Sequence, residues 1–210
     1  MRRLSFLQIM VAAGCLLIQV GTASAQDFSG QNLEQTNFDG VDFSGANFSG
    51  AELFEASFEG AILRGANFSG ANIERTNFSE ADLTGATFRS ASGASPFFFG
   101  ANCTRVNFIL LSTGGVGPEF RGATVTGADF SGAEMQGADF TNGVGIGTRF
   151  VDAGLPNARF DNGNFTRASF NGADLRNARF LQANLTNAIF VDAVLTGTSF
   201  EGATTTGAQF

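Results

Sequence analysis

The stretch GANFSGAELFEASFEGAILRGANFSGANIERTNF, from Gly45 to Phe78, decides the fold. A large apolar residue recurs at every fifth position: Phe48, Leu53, Phe58, Leu63, Phe68, Ile73 and Phe78. Alanine precedes most of them by two residues. Five residues of α-helix turn the chain by about 500°, so these side chains would spiral around a helix. On a straight strand, residues five apart point to opposite faces. The chain must therefore bend between successive apolar residues.

The bend residues are visible in the sequence. Most units end in Gly, as in Ser69-Gly70, and others end in Asn, as at Asn142. Both residues suit the positive-φ position of a type II turn. Four short straight pieces and four bends form one square coil of twenty residues, and neighbouring coils would pair their backbones about 4.8 Å apart. Each coil can bury its apolar side only against its neighbours, so the pattern predicts a solenoid.

Several units share the form A(N/D)(L/F)xx: Ala46-Asn47-Phe48-Ser49-Gly50, Ala81-Asp82-Leu83-Thr84-Gly85, Ala173-Asp174-Leu175-Arg176-Asn177 and Ala183-Asn184-Leu185-Thr186-Asn187. This pattern resembles the pentapeptide-repeat family over nearly all of the chain after residue 25. The resemblance implies an all-β fold, a right-handed quadrilateral β-helix of about nine coils. Such a fold does not by itself assign a function.

The repeat has one irregularity. Inward-facing centres run in steps of five from Phe28 to Phe108 and again from Phe120 to Phe210, with Phe at every second centre. The step from Phe108 to Phe120 is twelve residues, two more than two repeats need. We therefore divide the solenoid into an N-terminal block (26–108), a register break or bulge (109–119) and a C-terminal block (120–210). With the face of Phe28 as face 1, the regular Phe ladders lie on faces 1 and 3.

Residues 1–25 have the features of a cleavable signal peptide. Arg2 and Arg3 precede an apolar run, and Ala23-Ser24-Ala25 provides a cleavage site. A membrane anchor is the alternative, but Gln8 and Gln19 interrupt the apolar run. We expect export to the periplasm or another extracytoplasmic compartment. No later segment is long and apolar enough to span a membrane.

The amino-acid composition limits the classes of function that the chain can have. After cleavage the chain would carry 10 Arg against 19 Asp and Glu, a net charge of −9, with no Lys, His, Trp or Tyr. Acidity disfavours nucleic-acid binding, because phosphate contacts need Lys and Arg. Cys103 is the only cysteine after residue 25, so no internal disulfide is expected, and it falls on an inward centre. Gly114 to Glu119 resembles one calcium-binding turn, but such turns work in tandem arrays. We predict no catalytic site, metal or cofactor.

Two surface features are candidates for partner binding. The first is an apolar docking patch beside the register break, which we expect to include Phe97, Phe99, Ile109, Leu110 and Leu111. Local packing of this segment against itself is the alternative. The second feature, here called the acidic side, lies on faces 2 and 3 of the N-terminal block. Its acids are Glu34, Asp39, Glu52, Glu55, Glu59, Glu74 and Glu80. Arg75 leaves this side with a net charge of −6, for which ordinary solubility is the alternative explanation.

These observations favour an exported, non-enzymatic scaffold or protein-binding module with an unknown protein partner. The alternative is an acidic DNA mimic that protects gyrase, as the family resemblance implies for some members. Export would separate such a protein from gyrase. The repeat also begins at Phe28 and reaches Phe210 without polar caps, so an end-to-end homodimer is a further expectation.

Overall fold

The computed structural model describes residues 11–12, 15–16 and 26–210. Strands β1 (Val11–Ala12) and β2 (Cys15–Leu16) pair antiparallel, with Val11 opposite Leu16 and Ala12 opposite Cys15. The predicted signal peptide lies outside the described residues except for these four residues, and it stays a prediction. In the described part of the chain, no helix has the length and apolarity needed to cross a membrane.

From residue 26 onward the backbone forms a stack of coils joined by parallel single-residue bridges. The bridges first join residues 20 apart, as between Asp27 and Asn47. The inward Phe28 donates its N–H to the Asn47 carbonyl at 2.7 Å, and the Asn47 N–H donates back to the Gln26 carbonyl at 2.8 Å. Because each coil pairs with the next through these bonds, the five-residue period produces the predicted all-β solenoid.

Each five-residue unit ends in a turn. Ala51 donates its N–H to the Phe48 carbonyl at 3.1 Å, and Gly50 between them has φ of 64°. The same turn position holds Asn142 with φ of 59°, but also Glu80 and Leu110, each with φ of 58°. A positive φ is unfavourable for such side chains. The backbone bonds on both sides of the turn hold them there, which the sequence pattern does not reveal.

Two Phe ladders run through the core. On face 1 the rings of Phe28 and Phe48 stack with centroids 4.8 Å apart and an interplanar angle of 7°. On face 3 the rings of Phe38 and Phe58 do the same at 4.8 Å. The two ladders meet edge to face, as between Phe48 and Phe58 at 5.4 Å and 85°. Both arrangements are favourable for aromatic rings.

The register changes once along the stack. Bridges join residues 22 apart from Phe97–Glu119 to Ser112–Glu134, and they return to a separation of 20 from Glu119–Asp139. The two additional residues therefore lie between Ser112 and Glu119. The ladders continue across this point, since Phe98 stacks on Phe120 at 4.5 Å. The insertion bulges outward and leaves the core continuous.

On face 4 a missing side chain at one inward centre is matched by a larger side chain at the next. Most inward centres on this face hold a medium-sized apolar residue, but Gly145 has no side chain and Phe165, one coil later, is larger than usual. A Cβ atom added to Gly145 would lie 2.5 Å from Cε1 of Phe165, and one added to Gly163 would lie 2.4 Å from its Cε2. The Phe165 ring therefore occupies the space that the two glycines leave.

Candidate interaction surfaces

The structure places the acidic side on two adjacent faces of the first three coils. Glu34, Glu52, Glu55 and Glu74 lie on face 2, and Asp39, Glu59 and Glu80 lie on face 3. Glu55 and Glu74 are half-buried, and the other five are exposed. The only ion pair on this side within residues 26–210 joins Arg75 to Glu55, with Nη1 and Oε1 3.2 Å apart. The acidic side therefore keeps most of its charge unneutralised.

Asparagine side chains hold several of these carboxylates in place. Asn77 donates to Glu59 across one coil at 3.2 Å. Asn72 donates to Glu52 at 2.9 Å in the same way. Both Asn residues occupy the position before an inward centre, where their side chains line the outer face. Two carboxylates of the acidic side are thus held by Asn side chains of the following coil.

Phe97 and Phe99 lie on face 3, next to the acidic side. Their half-buried rings are 5.8 Å apart, and the Arg121 guanidinium carbon lies 5.1 Å from the Phe99 ring centroid. Such an arrangement is a cation–π contact. Phe97 pairs with Asn77 through a backbone bridge, so the aromatic pair begins one coil after Asn77. Together the acidic side and this pair form one continuous surface.

The remaining residues of the predicted docking patch do not join this surface. Half-buried Ile109 and Leu110, which is 50% exposed, follow the inward Phe108 on face 1. Faces 1 and 3 lie opposite each other in a four-sided coil, so the prediction of one patch is wrong. Leu111 is fully buried, which also corrects its predicted exposure. Its side chain points inward because it precedes the buried Thr113 by two residues, and residues two apart share a face of a strand.

Face 3 of the C-terminal block contains a network of ion pairs that the sequence analysis did not predict. Arg121 lies 2.8 Å from Glu119 and 3.5 Å from Asp139. Further along the same face, Arg179 lies 3.0 Å from Asp161. Arg159 connects the two groups, since it lies 3.7 Å from both Asp139 and Asp161. Spacings of 20 residues between Asp139, Arg159 and Arg179 indicate part of this network, because each of them directly precedes an inward Phe. Asp161 directly follows an inward Phe, so the same spacing does not reveal it.

Both aspartates of the network are buried. Only 10% of the Asp139 side chain and 6% of the Asp161 side chain are exposed. Asp161 also accepts a hydrogen bond from the Leu181 N–H at 3.0 Å, and Asp139 accepts one from the Thr141 N–H at 2.9 Å. A buried carboxylate is costly unless it is paired and hydrogen-bonded, and these two are both. The network therefore joins successive coils and leaves little free charge.

Other carboxylates are held by their own turns. The hydroxyl and the N–H of Ser44 donate to Asp42 at 2.7 Å and 2.9 Å, and they lower the pKa of the Asp42 carboxyl. Hydrogen bonds from Arg176 lower the pKa of Asp174 in the same way. Both groups favour their charged form in the folded protein.

The described residues offer little reactive chemistry. Cys103 is fully buried, and burial raises the pKa of its thiol, which opposes formation of the thiolate. Among residues that the structure describes, no group of three or more His, Cys, Asp or Glu side chains could hold a metal ion.

Comparison with known families gives one clear match. The family described as Pentapeptide repeats matches in eight copies, over residues 27–60, 51–89, 118–143, 146–182, 164–202 and 178–210. These ranges cover well over half of the chain. The family implies a right-handed β-helix, in agreement with the observed coils. A comparison with curated proteins gave no match.

Solved structures that are similar to this chain include the following three proteins. HetL, a pentapeptide repeat protein involved in heterocyst differentiation regulation in Nostoc, is 24% identical, with 87% of this chain and 88% of HetL covered and a TM-score of 0.37. QnrB1, a plasmid-mediated fluoroquinolone resistance protein, is 22% identical, with 89% and 86% covered and a TM-score of 0.38. A pentapeptide repeat protein of the Arabidopsis thaliana thylakoid lumen is 36% identical, with 54% and 68% covered and a TM-score of 0.29.

Proposed function

This chain belongs to the pentapeptide repeat family, and from that premise we propose that it is an exported, non-enzymatic scaffold that binds a basic protein through its acidic side. Proteins of this family are generally structural or binding proteins, and nothing points to catalysis here. The observation that carries the proposal is the acidic side itself, with seven carboxylates on two adjacent faces and a single Arg among them.

Charge complementarity determines the kind of partner. A surface with a net charge of −6 attracts a Lys- and Arg-rich surface and accelerates encounter with it. Phe97 and Phe99 border the acidic side and are half-buried, so they can contribute apolar contact area at its edge. Aromatic residues often provide the energetically dominant contacts of an interface. The partner is therefore a protein with a basic patch next to an apolar one.

Charge reversal tests the binding surface. The variant Glu34→Lys/Glu55→Lys/Glu74→Lys, here called the acidic-side variant, changes the net charge of this side from −6 to 0. The control variant Glu134→Lys/Asp192→Lys/Glu201→Lys makes the same total charge change in the C-terminal block, at exposed positions that form no ion pair within residues 26–210. Wild type and control should capture the same partner from an extracytoplasmic extract, and the acidic-side variant should not. Equal capture by all three proteins would reject the proposal.

Export is tested separately. The full-length protein with a C-terminal tag should be found outside the cytoplasm with Gln26 as its first residue, because cleavage is expected after Ala25. Recovery of an uncleaved protein in the cytoplasm would contradict the proposed destination.

The DNA-mimic alternative uses the same surface but needs a different compartment. It predicts that purified gyrase binds the wild type and that DNA competes for the same site. Gyrase binding by cytoplasmic protein, lost in the acidic-side variant, would favour this alternative over an exported scaffold.

A further inference from the structure

One outward column of face 4 has an unusually uniform composition. The residue directly after the inward centre is β-branched in seven successive coils: Thr84, Thr104, Thr126, Ile146, Thr166, Thr186 and Thr206. The residue before the centre forms a second column, which is uncharged from Asn102 onward: Asn102, Thr124, Val144, Asn164, Asn184 and Thr204. β-branched side chains have few accessible χ1 rotamers. The two columns therefore form a stiff, regular array.

Hydrogen bonds fix the array further. Thr104 donates its hydroxyl to Oδ1 of Asn102 at 2.7 Å. Thr166 and Thr186 make the equivalent bond at 2.7 Å to the Asn residues two positions before them. The hydroxyl hydrogens of these three threonines thus point toward Asn, while each hydroxyl oxygen keeps acceptor capacity.

Turn geometry alone does not account for the threonines. The same turn occurs on face 1, where Ser49 and Ser69 donate their N–H groups to the Asn residues two positions earlier, at 3.1 Å and 3.0 Å. Serine therefore satisfies this position. The β-branched column is a property of face 4 that the fold does not require.

Charge is also distributed unevenly around the coil. The chain has 19 acidic residues, yet no outward position of face 4 between Asn102 and Asn187 holds one. Arg105 and Arg167 stand at the corner of the face, and Gly127 and Gly147 occupy the equivalent corner positions of other coils. The result is an open surface of hydroxyl, amide and methyl groups, which suits an uncharged ligand.

The spacing of the array limits what that ligand can be. Coils repeat about every 4.8 Å along the stack. Waters in ice are tetrahedrally hydrogen-bonded with oxygens about 2.75 Å apart, which places second-neighbour oxygens about 4.5 Å apart. The difference of about 0.3 Å per coil accumulates to about 2 Å over the seven coils, less than half of one ice repeat. When the middle coil is aligned with the ice lattice, the array therefore departs from that lattice by about 1 Å at each end.

We propose that face 4, from Thr84 to Thr206, is an ice-binding surface whose ligand is crystalline water. A crystalline sugar polymer is a poorer fit, because the outward positions of face 4 in the described residues include no aromatic side chain on which a sugar ring could stack. This surface is distinct from the acidic side on faces 2 and 3, so the two proposals are independent.

Partition into slowly grown ice tests the proposal with the full chain. The variant Thr126→Lys/Thr166→Lys places two ammonium groups in the middle of the array. The control Ser49→Lys/Ser69→Lys makes the same charge change at the equivalent position of face 1. Wild type and control should concentrate in the ice fraction. The face 4 variant should fall by about tenfold or more, because a hydrated ammonium group loses its water against a solid surface.

Three results would overturn the proposal. The first is exclusion of the wild type from growing ice, and the second is an equal loss of ice partition in both variants. The third is a dimer that only the face 4 variant converts to a monomer in sedimentation, which would assign the face to a second copy of the chain. Circular dichroism of each variant near 0 °C establishes that all are folded.

Discussion

The pairing of Gly145 with Phe165 gives a sharp test of core packing. In Gly145→Ala the new Cβ would lie 2.5 Å from Cε1 of Phe165 and 2.8 Å from the Thr148 hydroxyl oxygen. That hydroxyl donates to the Val125 carbonyl at 2.7 Å, so it cannot move away without losing a buried hydrogen bond. Overpacking costs about 1–3 kcal/mol, and a lost hydrogen bond adds about 1 kcal/mol. We expect a loss of about 2–4 kcal/mol in the free energy of unfolding.

Phe165→Leu should partly rescue this variant, because it removes the ring atoms that the new methyl group meets. Urea unfolding followed by circular dichroism supplies all four free energies of the double-mutant cycle. We expect the combined loss to be smaller than the sum of the single losses by about 1–2 kcal/mol. Gly114→Ala is the control, since no atom lies within 4 Å of its added Cβ. Additive losses within about 0.5 kcal/mol would refute this account of face 4 packing.

Three further predictions concern the core, the turns and the ion pairs. Phe68→Ala should lower the free energy of unfolding in urea by about 3–5 kcal/mol, since the Phe68 ring is fully buried between two stacked neighbours. Phe54 is half-buried, so Phe54→Ala should lower it clearly less, and equal losses would mean that the register is wrong. The pKa of Asp42 is lowered on folding, so the stability it contributes is present above pH about 4 and is lost as the pH falls through the folded-state pKa. The urea midpoint of Asp42→Asn should therefore fall less steeply on acidification than that of wild type, and identical pH profiles would contradict this. Arg179→Met should cost about 1–3 kcal/mol in urea unfolding, because it removes the nearest cation from the buried Asp161; a loss below about 0.5 kcal/mol would show that the pair is not needed.

The fold was predictable because the repeat is strict. A five-residue apolar period with Gly or Asn at the bends excludes helix and flat sheet, and the structure shows the expected solenoid with Phe ladders on faces 1 and 3. The two surplus residues between Phe108 and Phe120 are visible by counting. Local exceptions were harder to predict. Leu111 looks exposed in the sequence because it follows two apolar residues, but its place two residues before an inward centre directs it into the core.

The interaction surfaces were predictable only in part. Assigning acids to faces 2 and 3 requires only the register, so the acidic side follows from the sequence. The ion-pair network on face 3 depends on side chains from neighbouring columns, such as Asp161 and Arg179, that meet across coils. The repeat shows at which position of its five-residue unit each of these residues lies, but it does not show the distances between their side chains. The end-to-end homodimer and the signal peptide stay predictions.

Binding of the captured partner at increasing salt tests the central claim most directly. The dissociation constants of wild type, the acidic-side variant and the control variant are measured with the purified partner from low to high ionic strength. If the acidic side binds the partner, wild type and control should bind alike and weaken as salt rises. The acidic-side variant should bind at least about tenfold more weakly at low salt and depend little on salt. Equal affinity and equal salt dependence for all three proteins would contradict the claim that this charged surface is the binding site.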